Sequence, residues 1–192
     1  MFGLVSTLTA ILPLAMAAPL QLATRDANPG CFDASFGNFS WSVENFDYHA
    51  SYIFTTPAHQ NSWGYVNFNL TNPALEYQAV CSASSNQLSD FFYGTMAYNC
   101  TEPDGTSAET KFDFSRPSGV LNVNQTWDCS DKDPQYPVTV WAYGTANLTL
   151  DCTDETWTNP NWTTPGTIYS SRTVQCKPVT LPLKPYEMRS VA

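Results

Sequence analysis

From residue 39 onward, apolar and polar side chains alternate with a period of two, the spacing of a strand with one buried face. In Tyr65-Val66-Asn67-Phe68-Asn69-Leu70 the apolar Val66, Phe68 and Leu70 interleave with Asn67 and Asn69. The same register recurs in Leu121-Asn122-Val123-Asn124-Gln125-Thr126-Trp127 and in Asn147-Leu148-Thr149-Leu150. Runs of this kind predict strands over 39–46, 48–55, 64–70, 75–82, 93–100, 110–115, 120–129, 138–143, 146–152 and 167–176. Asn72-Pro73, Pro103-Asp104-Gly105, Arg116-Pro117-Ser118-Gly119 and Lys132-Asp133-Pro134 supply the chain reversals, since Pro fixes one backbone angle and Gly allows its mirror image. One short helix is predicted, over 84–91. Each strand has one face to bury, so the expected fold is all-β: an antiparallel β-barrel or sandwich of about ten short strands. No internal repeat suggests a propeller or a β-helix.

The pattern changes at both ends. Leu4 to Ala15 is apolar but only about a dozen residues long, against the roughly 20 that cross a bilayer, and Ala15-Met16-Ala17 is a signal-peptidase pattern. Residues 1–17 are therefore expected to be a signal peptide, 18–29 a flexible N-terminal arm, 30–176 a single β domain and 177–192 a Pro-rich C-terminal tail. No apolar run beyond residue 17 is long enough to span, so no membrane partner is expected.

Six cysteines, Cys31, Cys81, Cys100, Cys129, Cys152 and Cys176, agree with export to an oxidising compartment and predict three disulfides. Pairing neighbours in the chain suggests Cys81 with Cys100 and Cys129 with Cys152, leaving Cys31 and Cys176 for each other or for another molecule. The Asn-x-Ser/Thr sequons at Asn38, Asn69, Asn99, Asn124, Asn147 and Asn161 predict a glycoprotein. Three of them, Asn69, Asn124 and Asn147, fall on the polar phase of a strand, where a glycan would point outward.

A net charge of −9, from 8 Lys and Arg against 17 Asp and Glu, repels phosphate backbones, so nucleic acid is not an expected partner. With 43% hydrophobic and 14% aromatic residues and only 13% charged, the chain has the composition of one that folds.

The sequence carries no recognisable catalytic motif. His49 and His59 are the whole histidine complement, neither lies in a hydrolase motif, and Gly-x-Ser-x-Gly and His-Glu-x-x-His are absent. No catalytic residue, metal or cofactor is expected. Glu44 and Asp47 near His49 are the carboxylates that a small secreted glycoside hydrolase would have to use. Trp157 and Trp162, in a Thr- and Pro-rich stretch read as a loop, form with Trp63 a candidate carbohydrate-binding platform, because sugar rings stack their apolar faces on indoles. The alternative is that these Trp residues fold back over a sheet edge.

Trp41-Ser42-Val43-Glu44-Asn45-Phe46, the strand Val66 to Leu70, Cys81-Ser82-Ala83, Leu88-Ser89-Asp90, Tyr98-Asn99-Cys100, Phe112-Asp113-Phe114 and Leu121 to Gln125 follow one another in an order that resembles the fungal Alternaria-allergen-like family. The resemblance covers about residues 31 to 152. It implies a secreted, disulfide-bonded β-barrel of fungal origin, in a family of allergens and elicitors for which no enzyme activity is established. It supports the Cys81–Cys100 pair and makes Cys31 a candidate for a disulfide between two subunits of a homodimer. The chain departs from that pattern in the Cys129 to Cys152 gap, the inserted residues 153–166, the sixth cysteine at 176 and the tail from Lys177. Together these readings suggest a non-enzymatic, allergen- or effector-like protein that recognises a host or other extracellular protein or glycan.

Overall fold

The computed structural model describes residues 30–163 and 166–192; the expected signal peptide and N-terminal arm lie outside them. Two antiparallel sheets pack face to face. One is six-stranded, in the order β3 (Gln78–Ser85), β2 (His59–Thr71), β1 (Trp41–Thr56), β9 (Ser170–Cys176), β8 (Cys152–Thr158), with β10 (Val179–Leu183) also paired to β1. The other is five-stranded, in the order β11 (Pro185–Val191), β7 (Val138–Asn147), β6 (Val120–Cys129), β5 (Glu109–Ser115), β4 (Tyr98–Asn99). Neither sheet closes on itself, so of the two expected architectures the chain adopts the sandwich and not the barrel.

The alternation that predicted the strands also fills the core. Phe46, Tyr48, Val66, Phe68 and Leu70 from the first sheet meet Phe112, Phe114, Leu121, Val123 and Trp127 from the second, all buried. Phe46 sits edge-on to Phe114 at 5.1 Å between centroids and Phe68 to Phe112 at 5.0 Å, geometries that favour aromatic pairs beyond their buried area.

The strands expected at 39–46 and 48–55 form one strand, β1. Its inward phase shifts from Trp41 and Val43 to Phe46, Tyr48, Ala50 and Tyr52 because a bulge between Glu44 and Asp47 inserts an extra residue. Asn45 takes the left-handed angle there (φ 55), which Asn tolerates better than most side chains. The helix expected at 84–91 does not form. Ser85 still belongs to β3, and its hydroxyl donates to Phe91 O at 2.5 Å, folding the following residues into a turn. The strand expected at 93–100 contracts to Tyr98–Asn99, and that at 146–152 is divided between β7 and β8, which lie in different sheets. A short helix that the alternation did not reveal, α1 (Cys31–Phe36), is held against β6, where Trp127 Nε1 donates to Ser35 Oγ at 2.9 Å.

The largest difference concerns the Pro-rich tail. Residues 177–192 do not leave the domain at Cys176: β10 pairs with Trp41 to Phe46 of β1, and β11 crosses to pair with β7 of the other sheet. Proline marks a loose tail only if the segment must donate to two neighbours. Pro182 lies in an edge strand and Pro185 opens β11, the two places where a missing N–H costs a sheet least.

The disulfides are Cys31–Cys129, Cys81–Cys100 and Cys152–Cys176. The expected pairing of Cys129 with Cys152, and that of Cys31 with Cys176, are both replaced. Cys129 ends β6 of one sheet while Cys152 opens β8 of the other, directly opposite Cys176 on β9. Cys81–Cys100 ties β3 to the residue following β4, next to a backbone bridge between Val80 and Thr101, so it joins one edge of each sheet. Peptide mapping without reduction is expected to recover these three pairs; a Cys129–Cys152 peptide would contradict this topology. The Cys31–Cys129 bond spans 98 residues, so replacing both by Ser should destabilise more than the Cys81/Cys100 double variant, by roughly 1–2 kcal/mol on chain-entropy grounds.

Candidate functional site

Because directly paired residues of antiparallel strands share a face, the register places three rows on the outside of the six-stranded sheet. Thr153, Gln175, His49, Tyr65 and Ser84 form one row; Glu155, Thr173, Ser51 and Trp63 the next; Trp157, Ser171, Ile53 and Asn61 the third. Their neighbours of opposite phase, Ala50, Val66 and Val174 among them, are buried. Trp63, Tyr65 and Trp157 are 43%, 38% and 52% exposed. Trp63 and Tyr65 are adjacent on one strand, and Trp157 lies three strands away, about 14 Å at the usual strand spacing. Hydroxyl and amide side chains occupy most of the positions between them.

Trp157 is therefore not in a loop. The inserted residues 153–158 extend the sheet as β8 and carry this indole to its outer face. Trp162 does not join it. Its Nε1 donates to Thr55 O at 3.2 Å and to Thr167 O at 3.1 Å, and its ring packs against Tyr169 at 5.3 Å, folded back over the end of the sheet. Trp63 does share the face with Trp157, and Tyr65, which the sequence reading left out, completes the group. The signal was available: in the 61–71 stretch, Trp63 and Tyr65 fall on the same phase as Asn67 and Asn69, and a large aromatic residue on a polar phase is one that faces water.

His49 is organised by its neighbours. Its ring stacks on Tyr65 at 5.0 Å, its Nδ1 lies 2.8 Å from Asp47 Oδ2, and Gln175 Nε2 donates to Asp47 Oδ1 at 3.0 Å. This fixes the ring and leaves Nε2 as its solvent-side nitrogen. Glu44 is committed elsewhere, accepting from Thr71 Oγ1 at 2.8 Å and Gln78 Nε2 at 2.9 Å, and these hydrogen bonds hold its carboxyl below the usual range. The two carboxylates thus serve separate hydrogen-bond sets on either side of the bulge. His59 sits at the β1–β2 turn with Nδ1 2.8 Å from Thr55 Oγ1.

The sequons are distributed unequally. Asn99, Lys111, Asn124 and Tyr143 form one row across the outer face of the five-stranded sheet, and Asn147 lies on the same face. Asn69 is half-buried beside Glu44 on the six-stranded sheet, at the end away from Trp63, and Asn38 and Asn161 are exposed in connections. Cys31, Cys129 and Asp131 come close enough to suggest a metal group, but the two sulfurs are bonded to each other and offer no thiolate. Cys31 is thereby used within the chain, and an intersubunit bond through it would have to replace Cys31–Cys129.

A family model described as Alternaria alternata allergen 1 matches residues 43–176. The match starts in β1 and stops at Cys176, so α1 and the pair β10–β11 lie outside it. No curated protein and no solved structure matches the chain.

Proposed function

Because the chain belongs to the Alternaria alternata allergen 1 family, we propose that it is a secreted fungal protein that acts outside the cell by surface recognition and without catalysis, in the manner of an allergen or elicitor. The observation that carries this reading is the alignment of exposed Trp63, Tyr65 and Trp157 on one sheet face. Exposed large aromatics grouped on a flat surface are the usual anchors of a recognition interface. The unequal placement of the sequons supports the choice of face, since glycans at Asn99, Asn124 and Asn147 would cover the opposite sheet. The partner in this reading is a host or other extracellular protein or glycan.

Infiltrating leaves with the mature protein tests it. The wild type should provoke or suppress a defence response, and the Trp63→Ser/Tyr65→Ser/Trp157→Ser variant, folded by circular dichroism, should lose at least tenfold in potency, the scale of a lost aromatic anchor. An unchanged response would discard this face. Hydrolysis of a polysaccharide or ester panel that ends with Asp47→Asn would replace recognition with catalysis. A non-reducing gel that shifts to double mass, and does not shift for Cys31→Ser, would support the homodimer through Cys31.

The hydroxyl-bearing neighbours Ser51, Ser84, Thr153 and Thr173 favour a second, narrower reading, a carbohydrate-binding module. Pull-down on insoluble chitin, cellulose and glucan separates the two, because a module should be retained by at least one of them and released by the triple substitution.

A further inference from the structure

On the inner side of β8 and β9, away from the aromatic face, the six-stranded sheet extends past its partner and a cleft of about 170 Å³ opens beneath the β5–β6 turn. Two of the chain's four arginines meet there. Arg172 has its guanidinium 4.9 Å from the Tyr52 ring and is neutralised by Asp154, with Nε 2.8 Å from Oδ1 and Nη2 2.5 Å from Oδ2. That fork holds the Asp154 carboxyl below its ordinary range.

Arg116 is arranged differently. Its backbone N–H donates to Phe92 O at 2.9 Å, and the turn behind it is pinned by Gly119 (φ 71), whose carbonyl accepts from Leu148 N at 2.7 Å. Its guanidinium lies 5.0 Å over the ring of Tyr48, which is buried, and Nη2 points to Cys152 Sγ at 3.5 Å. Among the described residues no carboxylate lies within ion-pair distance of it. Its contacts are the Tyr48 side chain and a sulfur, so in a chain with about twice as many carboxylates as cations this half-buried guanidinium, which lines the cleft, keeps N–H donors for a ligand there.

We propose that this cleft binds a small hydroxylated carboxylate, with the carboxylate on Arg116 and adjacent hydroxyls donating to Asp90. Arginine's planar fork matches a carboxylate in bidentate geometry. Asp90, which also lines the cleft, is an acceptor without an ion-pair partner among the described residues; it disfavours a polyanion and rewards a ligand that brings O–H groups beside its single charge. The volume equals about five or six liquid waters, room for one sugar-sized ring. Two sources carry that chemistry, a uronic-acid unit of a polysaccharide and a free α-hydroxy acid.

Isothermal titration of the mature protein with galacturonate, lactate, acetate and galactose, each to about 10 mM, tests the proposal. Galacturonate or lactate should bind at least tenfold tighter than acetate, and galactose should show no heat of binding. Stronger binding of galacturonate than of lactate identifies the sugar acid as the source, and the reverse order the free acid. Arg116→Gln should lose at least tenfold in affinity, and Arg116→Lys should fall between the two because it keeps charge without the fork. Where Arg116→Gln melts early, shift of the wild-type Arg116 Nε resonance on addition of ligand gives the same answer. Equal binding of galactose, equal binding of acetate, no acid bound, or full affinity in Arg116→Gln would each overturn it. None of these outcomes involves Trp63 or Trp157, so the cleft and the aromatic face stand or fall separately.

Discussion

A chain ended after Cys176 is expected to lose its cooperative fold, although the cut keeps all six cysteines and the whole of the family match. The removed residues include β10, which covers the Trp41 to Phe46 half of β1, and β11, an outer strand of the five-stranded sheet. Leu183, the last residue of β10 and 1% exposed, is wedged against Gly144 so closely that a Cβ on that glycine would lie 2.2 Å from Leu183 Cδ2 and 2.7 Å from Trp41 Cζ3. A glycine there lets the strap cross from one sheet to the other. Removing Leu183 alone by Leu183→Ala should cost about 3 kcal/mol, the usual penalty of a large-to-small change in a packed core. For a domain of this size that lowers the melting temperature by roughly 6–12 °C. Truncation adds the loss of two strands' pairing and of the Met188 packing, which exceeds much of the 5–15 kcal/mol that holds a typical domain. Secreted yield and the near-ultraviolet dichroism of the buried aromatics report the result. A truncated chain with the melting profile of the full one would show that the strap is ornamental.

That strap is also where the sequence was hardest to read. Alternation located β5 and β6 almost to the residue, and β2 over its second half, because each has one buried and one wet face, and this is the signal that period-two patterning carries. It failed where strands are short, exposed or edge-lying. β8 is exposed along nearly its whole length, so no apolar phase marks it and its Trp157 read as a loop residue. β10 and β11 contain the prolines that argue against a central strand, and the edge position that tolerates them is a property of the sheet, not of the segment. The cysteine pairs were hidden for a related reason: nearness along the chain succeeds for Cys81 and Cys100, but Cys129 and Cys152 are separated by a crossing between sheets that local patterning does not encode. At the candidate site, Trp157 and Trp63 were visible as residues, whereas their shared face needed the strand register. Tyr48 and Arg116 come from distant segments, and nothing in their local sequences brings them together.

Replacing Gln125 by Leu is expected to destabilise the protein by at least about 3 kcal/mol, even though the substitution puts an apolar side chain of similar size into a buried site. Gln125 is 3% exposed, and its amide joins the two sheets. Oε1 accepts from Trp41 Nε1 at 2.8 Å and from Asn72 Nδ2 at 2.8 Å, while Nε2 donates to Thr110 Oγ1 at 2.8 Å. Thr110 in turn donates to Glu102. Asn72, wholly buried, uses its other amide atom to accept from Ala74 N at 2.8 Å and so fixes the turn that leaves β2. Leucine would strand the indole N–H, the Asn72 amide and one lone pair of the Thr110 hydroxyl among buried side chains, and each group left unpaired costs about 1–3 kcal/mol. That penalty outweighs the gain from burying a more apolar side chain, because the cost belongs to the partners rather than to Gln125 itself. A double-mutant cycle isolates it: with Leu at 125, Trp41→Phe removes one stranded donor, so its own cost should be smaller by at least 1 kcal/mol than in the wild type. Chemical denaturation of the four proteins gives the coupling directly. Additive costs, or a Gln125→Leu protein as stable as the wild type, would mean that this buried amide contributes nothing to holding the two sheets together.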